Sequence, residues 1–222
     1  MKIENAKNLL IAIKDQIAKN LPDEDSFKFT KEFDNLIDNC NASKTYAKFC
    51  IKLLERVKLG VNPKHKEVLL ILTAVINLFK NNGTKEEFLK AADAFADAYA
   101  YAFAFAYAFA ADAAYAFADA ADAADAAYAA YYAASASASA DEQDAKAMVF
   151  SAVKTAVKTA DYHTEYKQQS IDLLQVLKTK AGRPAGSKNL IKKEKNVKIL
   201  IPESLLSRVK KFINKLLKNQ TN

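Results

Sequence analysis

Apolar residues recur at helical spacing along most of the chain and predict a series of amphipathic helices. The first is predicted over residues 3–19, and a second begins after Pro22, at the acidic cluster 23–25. A third is predicted over residues 43–59, ending before Gly60. Asn62 and Pro63 are the predicted N-cap and first turn of a fourth, a central core helix containing the nearly all-apolar run 68–79.

The first three helices each carry an apolar stripe that we expect to face the core. These stripes are Ile3, Leu9, Leu10, Ile13 and Ile17; then Phe27, Phe33, Leu36 and Ile37; then Tyr46, Phe49, Cys50, Leu53, Leu54 and Val57.

A fifth helix is predicted to begin at Thr84, because Thr84 and Glu87 have the spacing of a capping box. The preceding residues 81–83, Asn-Asn-Gly, end the fourth helix. The new helix enters a segment, Ala91 to Ala140, that holds 29 Ala, 12 Phe or Tyr, 6 Asp and 3 Ser, hence only four residue types. Strict alternation over residues 94–110 is typical of a strand, but the alanine content and the absence of Gly and Pro favour a helix.

On a helical wheel the six aspartates of this segment fall on one side and most of its aromatic residues on the other. We therefore expect a buried core helix with a solvated acidic face. In such a helix, alanine allows close helix approach while the aromatic rings supply most of the buried area. The uncharged run between Asp97 and Asp112 is fourteen residues, shorter than the roughly 20 needed to cross a bilayer. The sequence thus predicts no membrane span.

After the serines at 135, 137 and 139, Asp141 is a candidate cap for a new helical stripe that continues to about Lys178. Residues 84–178 form either one very long helix or two antiparallel ones. Two are favoured, because a single helix of that length leaves its aromatic residues without partners.

Charge is distributed unevenly along the chain. Residues 178–222 carry 13 Lys or Arg and only two acidic residues, whereas residues 91–150 carry one basic and nine acidic residues. Cys40 and Cys50 are the only cysteines, and the opening residues mix charges with apolar side chains, unlike a signal peptide. These features predict a cytoplasmic protein with reduced thiols, although the two cysteines could pair if they lie close.

The basic segment divides into a linker and a small folded unit. Residues 179–195 contain Gly182, Pro184 and Gly186 and are predicted to be a flexible basic linker. Residues 197–201 alternate as a short strand, and Pro202 opens an amphipathic helix. The predicted organisation is a helical bundle over residues 1–178, built around the alanine-rich helix, the linker 179–195, and a strand-helix appendage over residues 196–222.

Two short motifs in this segment resemble DNA-binding elements. Residues 196–215, NVKILIPESLLSRVKKFINK, resemble the opening half of a ribbon-helix-helix repressor domain, which implies base contacts by Lys198 and Asn196. The segment AGRPAGSKN is similar to the GRP core of AT-hooks, which implies minor-groove insertion by Arg183. Ala181 stands where an AT-hook usually has arginine.

Residues 46–178 resemble a group of alanine-rich helical bacterial and phage proteins described as putative immunity proteins. The shared features are an apolar helix, a polar turn like NGTKEEF, a long alanine and aromatic repeat, and a closing helix like EYKQQSIDLLQVL. This resemblance implies a role in binding a partner protein, without catalysis.

The sequence contains no pattern typical of an enzyme. His65 and His163 are far apart and lack metal-ligand spacing, so both are predicted to be surface histidines. The aspartates of the alanine-rich segment have no His or Cys nearby, and no nucleophile-base pair or phosphate-binding loop is recognisable. We expect a non-enzymatic protein without a cofactor.

The leading hypothesis is DNA binding through the basic segment, since clustered lysines neutralise phosphates effectively. Residues 197–217 are a candidate homodimer contact. The alternative is an immunity-like or regulatory protein that binds a partner protein through its helical body. The candidate DNA-binding residues are Arg183, Lys188, Lys192, Lys193, Lys195, Lys198, Arg208, Lys210 and Lys211.

Overall fold

A computed structural model of the protein describes residues 3, 5–93, 114–156 and 161–179, and these residues form an all-α helical bundle. This part of the chain contains no strand, which confirms the predicted fold class there. The helices are α1 (Ala6–Ala18), α2 (Asp23–Ile37), α3 (Ala42–Gly60), α4 (Lys66–Lys80), α5 (described over residues 85–93), α6 (Ala114–Ser139), α7 (Glu142–Ala156) and α8 (Tyr162–Lys178).

Helix α4 begins later than the sequence predicts. The Asn62 side chain accepts a hydrogen bond from the Lys64 N–H at 3.1 Å, and the Asn62 carbonyl accepts one from the His65 N–H at 3.0 Å. Residues 62–65 are therefore a closed turn, and the helix starts at Lys66. The predicted N-cap at Asn62 is wrong, because asparagine caps turns as readily as helices.

The predicted end of α4 and the predicted start of α5 are both confirmed. Helix α4 ends in a Schellman motif. The Gly83 N–H donates to the Leu78 carbonyl at 2.8 Å, and Asn82 between them has a left-handed φ of 55°. The Thr84 N–H then donates to Glu87 Oε2 at 2.8 Å, and the Glu87 N–H donates to Thr84 Oγ1 at 3.2 Å. This is the predicted capping box.

The apolar stripes of α1 and α3 lie in the core as predicted, and that of α2 does so except at Phe27. Phe27 is 71% exposed, whereas Phe29 and Phe33 are buried. The prediction that Phe27 faces the core is wrong, because Phe29 and Phe33, four residues apart, define the buried face.

Neither cysteine forms a disulfide: Cys40 is half-buried and Cys50 fully buried as free thiols. Burial raises the pKa of the Cys50 thiol, so Cys50 packs as a small apolar side chain.

In the described side chains of α6, every alanine except Ala121 is buried more deeply than the aromatic rings. Ala129 and Ala133 are completely buried, whereas Tyr128, Tyr131 and Tyr132 are half-buried at the edge of the core. Tyr132 stacks on Tyr128 and meets Tyr131 edge-to-face. Alanine therefore occupies the centre of this interface, and the rings contribute buried area at its margin. Helix α6 packs against α7, α4 and α3, and small side chains allow that close approach.

Residues 114–156 and 161–178 contain three helices, where the sequence predicts one or two over residues 84–178. Ala140, whose φ is 59°, ends α6. Asp141 Oδ1 then accepts a hydrogen bond from the Gln143 N–H at 2.7 Å. This confirms the predicted cap, and the short connection makes α6 and α7 a hairpin. The single stripe expected over residues 141–178 is wrong, because Asp161 caps a separate helix, α8, through the His163 N–H.

Helix α3 occupies the middle of the described bundle, in contact with α1, α4, α6, α7 and α8. Helix α7 also packs on α1, and α8 packs on α2. None of the described helices is both long and apolar enough to cross a membrane. The described residues do not include the run 94–113, the predicted linker beyond Thr179 or the strand-helix appendage.

Candidate functional site

The residues predicted to contact DNA all lie beyond Thr179, outside the described part of the chain. They are Arg183, Lys188, Lys192, Lys193, Lys195, Lys198, Arg208, Lys210 and Lys211. Lys178, the last residue of α8, forms an ion pair with Glu32 of α2. Lys178, the first residue of the basic segment, therefore lies beside α2.

Many lysines of the bundle are paired with carboxylates of neighbouring helices. Lys7 Nζ lies 2.6 Å from Asp38 Oδ1, and Lys167 Nζ lies 2.9 Å from Asp25 Oδ2. Such exposed pairs contribute little to stability but lower the free positive charge of the surface. Residues 1–177 contain 20 Lys or Arg and 24 Asp or Glu. The positive excess of the protein therefore resides in residues 178–222.

A half-buried ionic cluster joins α3 to α8. Arg56 Nη2 lies 3.1 Å from Glu165 Oε1, and Arg56 Nη1 lies 2.8 Å from Asp172 Oδ2. Lys52 Nζ lies 3.3 Å from Asp172 Oδ1, and the Gln169 amide donates to Glu165 Oε1 at 3.4 Å. The carboxylates are thus held by cations and an amide, which makes this cluster a structural connection between helices.

Burial raises the pKa of Glu165, and the Arg56 guanidinium and the Gln169 amide only partly offset that effect. A carboxyl group with a raised pKa binds its proton more tightly in the folded than in the unfolded state. Its contribution therefore favours folding at low pH and is lost as the pH rises through the folded-state pKa.

Replacing Glu165 with glutamine removes this pH dependence. We expect the free energy of unfolding of Glu165→Gln, relative to the wild type, to increase as the pH rises from about 4 to 7. Urea unfolding at several pH values measures this difference in free energy. Glu86→Gln, at an exposed position, is the control for loss of a negative charge. A difference that is constant or decreases with pH would contradict the expectation.

A surface crevice between α3 and α4, here called the α3–α4 crevice, contains two cavities. The first, of about 490 Å³, is lined by Ile51 of α3, Phe79 of α4 and Phe88 of α5. Lys44 and Lys48, one turn apart on α3, lie on its rim and are exposed. This end of the crevice has an apolar floor and a cationic edge.

The second cavity, of about 530 Å³, continues along the same two helices and is lined by Leu59, Leu69 and Ile76. Lys80 lines both cavities, and its Nζ lies 2.7 Å from Glu55 Oε1. Leu59 is 87% exposed. The crevice therefore leaves apolar surface open to solvent on both sides of the Lys80–Glu55 pair.

The crevice is electropositive as well as apolar. Among the described residues lining it, Glu55 is the only carboxylate, against the amines of Lys44, Lys48, Lys58 and Lys80. Lys58 donates to Thr73 Oγ1 at 2.8 Å. Within the described part of the chain the amines of Lys44 and Lys48 have no partner, so they are available to a ligand.

Sequence reasoning selected none of the crevice residues as functional. One sequence feature indicated exposed apolar surface on α4. Its residues 68–79 are apolar on more sides than a helix with a single buried face requires. Leu69 is half-buried and Leu70 is 55% exposed, so part of that run faces outward.

His163 is exposed, with Nδ1 3.0 Å from the Asn20 carbonyl oxygen, and His65 is half-buried. Across residues 3, 5–93, 114–156 and 161–179, no group of three or more His, Cys, Asp or Glu side chains could hold a metal ion. That the protein uses no cofactor stays a prediction.

The described residues thus define an all-α helical bundle that exposes an apolar, lysine-rimmed crevice. Comparisons of the chain with protein-family models, with curated proteins and with solved structures found no match. The resemblances to immunity-like proteins, ribbon-helix-helix domains and AT-hooks stay predictions from the sequence.

Proposed function

We propose that the protein is a non-enzymatic DNA-binding protein whose basic C-terminal segment contacts DNA and whose helical bundle is the folded body. The observation that supports this function is the charge distribution. Residues 178–222 carry 13 Lys or Arg against Glu194 and Glu203, on a body with more carboxylates than cations. Lysines clustered in this way release several counterions from DNA together and so give useful affinity.

Binding in this proposal is mainly electrostatic. Arg183, in the GRP sequence, inserts into a minor groove, and Lys198 contacts bases or phosphates from the strand predicted over residues 197–201. Residues 197–217 provide the groove-docking or homodimer contact. The reduced state of both cysteines fits a cytoplasmic location, where nucleic acid is accessible.

The salt dependence of DNA affinity tests the proposal. The full-length protein is expected to bind duplex DNA at low salt, with log K falling linearly as log salt concentration rises. Replacing Lys192, Lys193, Lys195 and Lys198 together by glutamine is expected to weaken binding and to make that slope less steep by about 3 to 4. Fluorescence anisotropy of labelled DNA measures both quantities.

The control removes the same net charge from the bundle. Lys19, Lys31, Lys85 and Lys90 are exposed, and their joint replacement by glutamine is expected to leave the slope nearly unchanged. Absence of binding at low salt, or equal slopes for the two quadruple variants, would exclude the C-terminal segment as the DNA-binding element.

A second candidate function is binding of a partner protein through the helical body, and the observation that favours it is the α3–α4 crevice. Exposed apolar surface such as Leu59 beside a concave, apolar floor is characteristic of protein interaction sites. The crevice is formed by α3 and α4, whereas Lys178, the first residue of the basic segment, pairs with Glu32 of α2, so the two functions use different residues.

A further inference from the structure

We infer that the α3–α4 crevice is the docking site for an acidic amphipathic helix of a partner protein. This inference rests on the second candidate function, partner binding by the helical body, and specifies the chemistry of the partner. It is independent of DNA binding by the basic segment.

The floor of the crevice is suited to apolar anchor residues. Phe79 and Phe88 are buried beneath it with ring centroids 4.9 Å apart, and Ile51 and Ala47 of α3 are half-buried at its side. Apolar cavities of this kind hold the large side chains that contribute most of the binding free energy at interfaces. Leu59 adds an exposed apolar contact at the far end.

The rim determines the charge of the occupant. Lys44 and Lys48 have no described partners for their amines, and Lys44 lies in the first turn of α3, where the helix dipole adds positive potential. Glu55 already pairs with Lys80 across the crevice. Carboxylates beside the apolar anchors of a ligand would therefore find free cations without competing acidic groups.

The dimensions of the crevice favour a helix over a single side chain. Its lining extends on α3 from Ser43 to Leu59, a distance of about 24 Å at 1.5 Å per residue. Cavities on both sides of the Lys80–Glu55 pair provide separate positions for apolar side chains. Amphipathic helices bind grooves in this way, with anchors spaced by three or four residues.

Other occupants fit less well. The predicted amphipathic helix of residues 203–217 is basic, so Lys44 and Lys48 would repel it. A nucleic acid would meet the cationic rim but would leave the apolar floor unused. A second copy of the chain could present an apolar and acidic face, and the experiments below separate that case.

The direct test uses two labelled peptides of about 16 residues, enough to span the crevice. Both carry Leu and Phe on one helical face; the other face carries Glu in one peptide and Lys in the other. We expect the full-length protein to bind the Glu peptide about tenfold more tightly than the Lys peptide, a difference that decreases as salt is added. Fluorescence anisotropy measures both dissociation constants.

The rim is tested by Lys44→Glu/Lys48→Glu, which is expected to weaken binding of the Glu peptide by about tenfold or more. The matched control, Lys19→Glu/Lys31→Glu, reverses two exposed charges that do not line the crevice and is expected to bind like the wild type. Leu59→Ser tests the apolar contribution without changing charge. Circular dichroism shows whether each variant is folded.

Equal binding of the two peptides, or no effect of Lys44→Glu/Lys48→Glu, overturns the inference. A concentration-dependent dimer in sedimentation equilibrium that Lys44→Glu/Lys48→Glu abolishes assigns the crevice to a second copy and also overturns it. So does a loss of DNA affinity in that variant without any peptide binding. A captured partner protein whose binding is unchanged in Lys44→Glu/Lys48→Glu leaves the partner-binding function standing and excludes the crevice as its site.

Discussion

Replacing Arg56 with methionine is expected to lower the free energy of unfolding by about 3 kcal/mol, because two buried carboxylates lose their shared cation. The side chains of Glu165 and Asp172 are only 10% and 13% exposed, so water cannot replace the guanidinium effectively. Lys52 still reaches Asp172 but lies far less buried than either carboxylate. Urea unfolding followed by circular dichroism measures the loss.

Two further variants show whether unpaired charge causes this loss. Lys7→Met removes one partner of the exposed Lys7–Asp38 pair and is expected to have a small effect. Adding Glu165→Gln and Asp172→Asn to Arg56→Met is expected to restore part of the lost stability, because the unpaired carboxylates are then gone. If the triple variant is less stable than Arg56→Met alone, the buried charges are not the cause.

Replacing Ala129 with leucine is expected to destabilise the protein by about 2 kcal/mol, since overfilling a close-packed core forces the backbone or neighbouring side chains to move. Ala129 is completely buried on α6, which packs against α7, α4 and α3. The cost arises from volume, because leucine is nearly as good a helix former as alanine. Thermal unfolding monitored by circular dichroism gives the comparison.

Ala121→Leu provides the matched control on the same helix, because Ala121 is exposed. The same substitution there is expected to change the melting temperature little. Similar losses at the two positions would mean that the alanine content of α6 serves helix formation and not close packing.

The two proposed interactions use different chemistry. DNA binding depends on the number of unpaired cations in residues 178–222 and is therefore strongly weakened by salt. Docking in the α3–α4 crevice adds apolar burial to the charges of Lys44 and Lys48, so part of that affinity persists at high salt. Salt titration of each interaction in the same protein separates the two contributions.

The sequence by itself determined where most described helices begin and end. The capping box of Thr84 and Glu87, the cap at Asp141 and the end of α3 at Gly60 were all predictable. These signals act between residues at most four positions apart, so they hold before any tertiary structure forms. The apolar stripes of α1 and α3 were predictable for the same reason.

Only the tertiary structure decided which apolar residues are buried and which charges meet. Phe29 instead of Phe27 faces the core, and most described alanines of α6 are buried more deeply than its tyrosines, because neighbouring helices select the face that packs. Lys52 and Asp172 meet across 120 positions of sequence. The α3–α4 crevice likewise exists only because two helices leave a gap that no other described helix covers, and helical periodicity carries no information about such gaps.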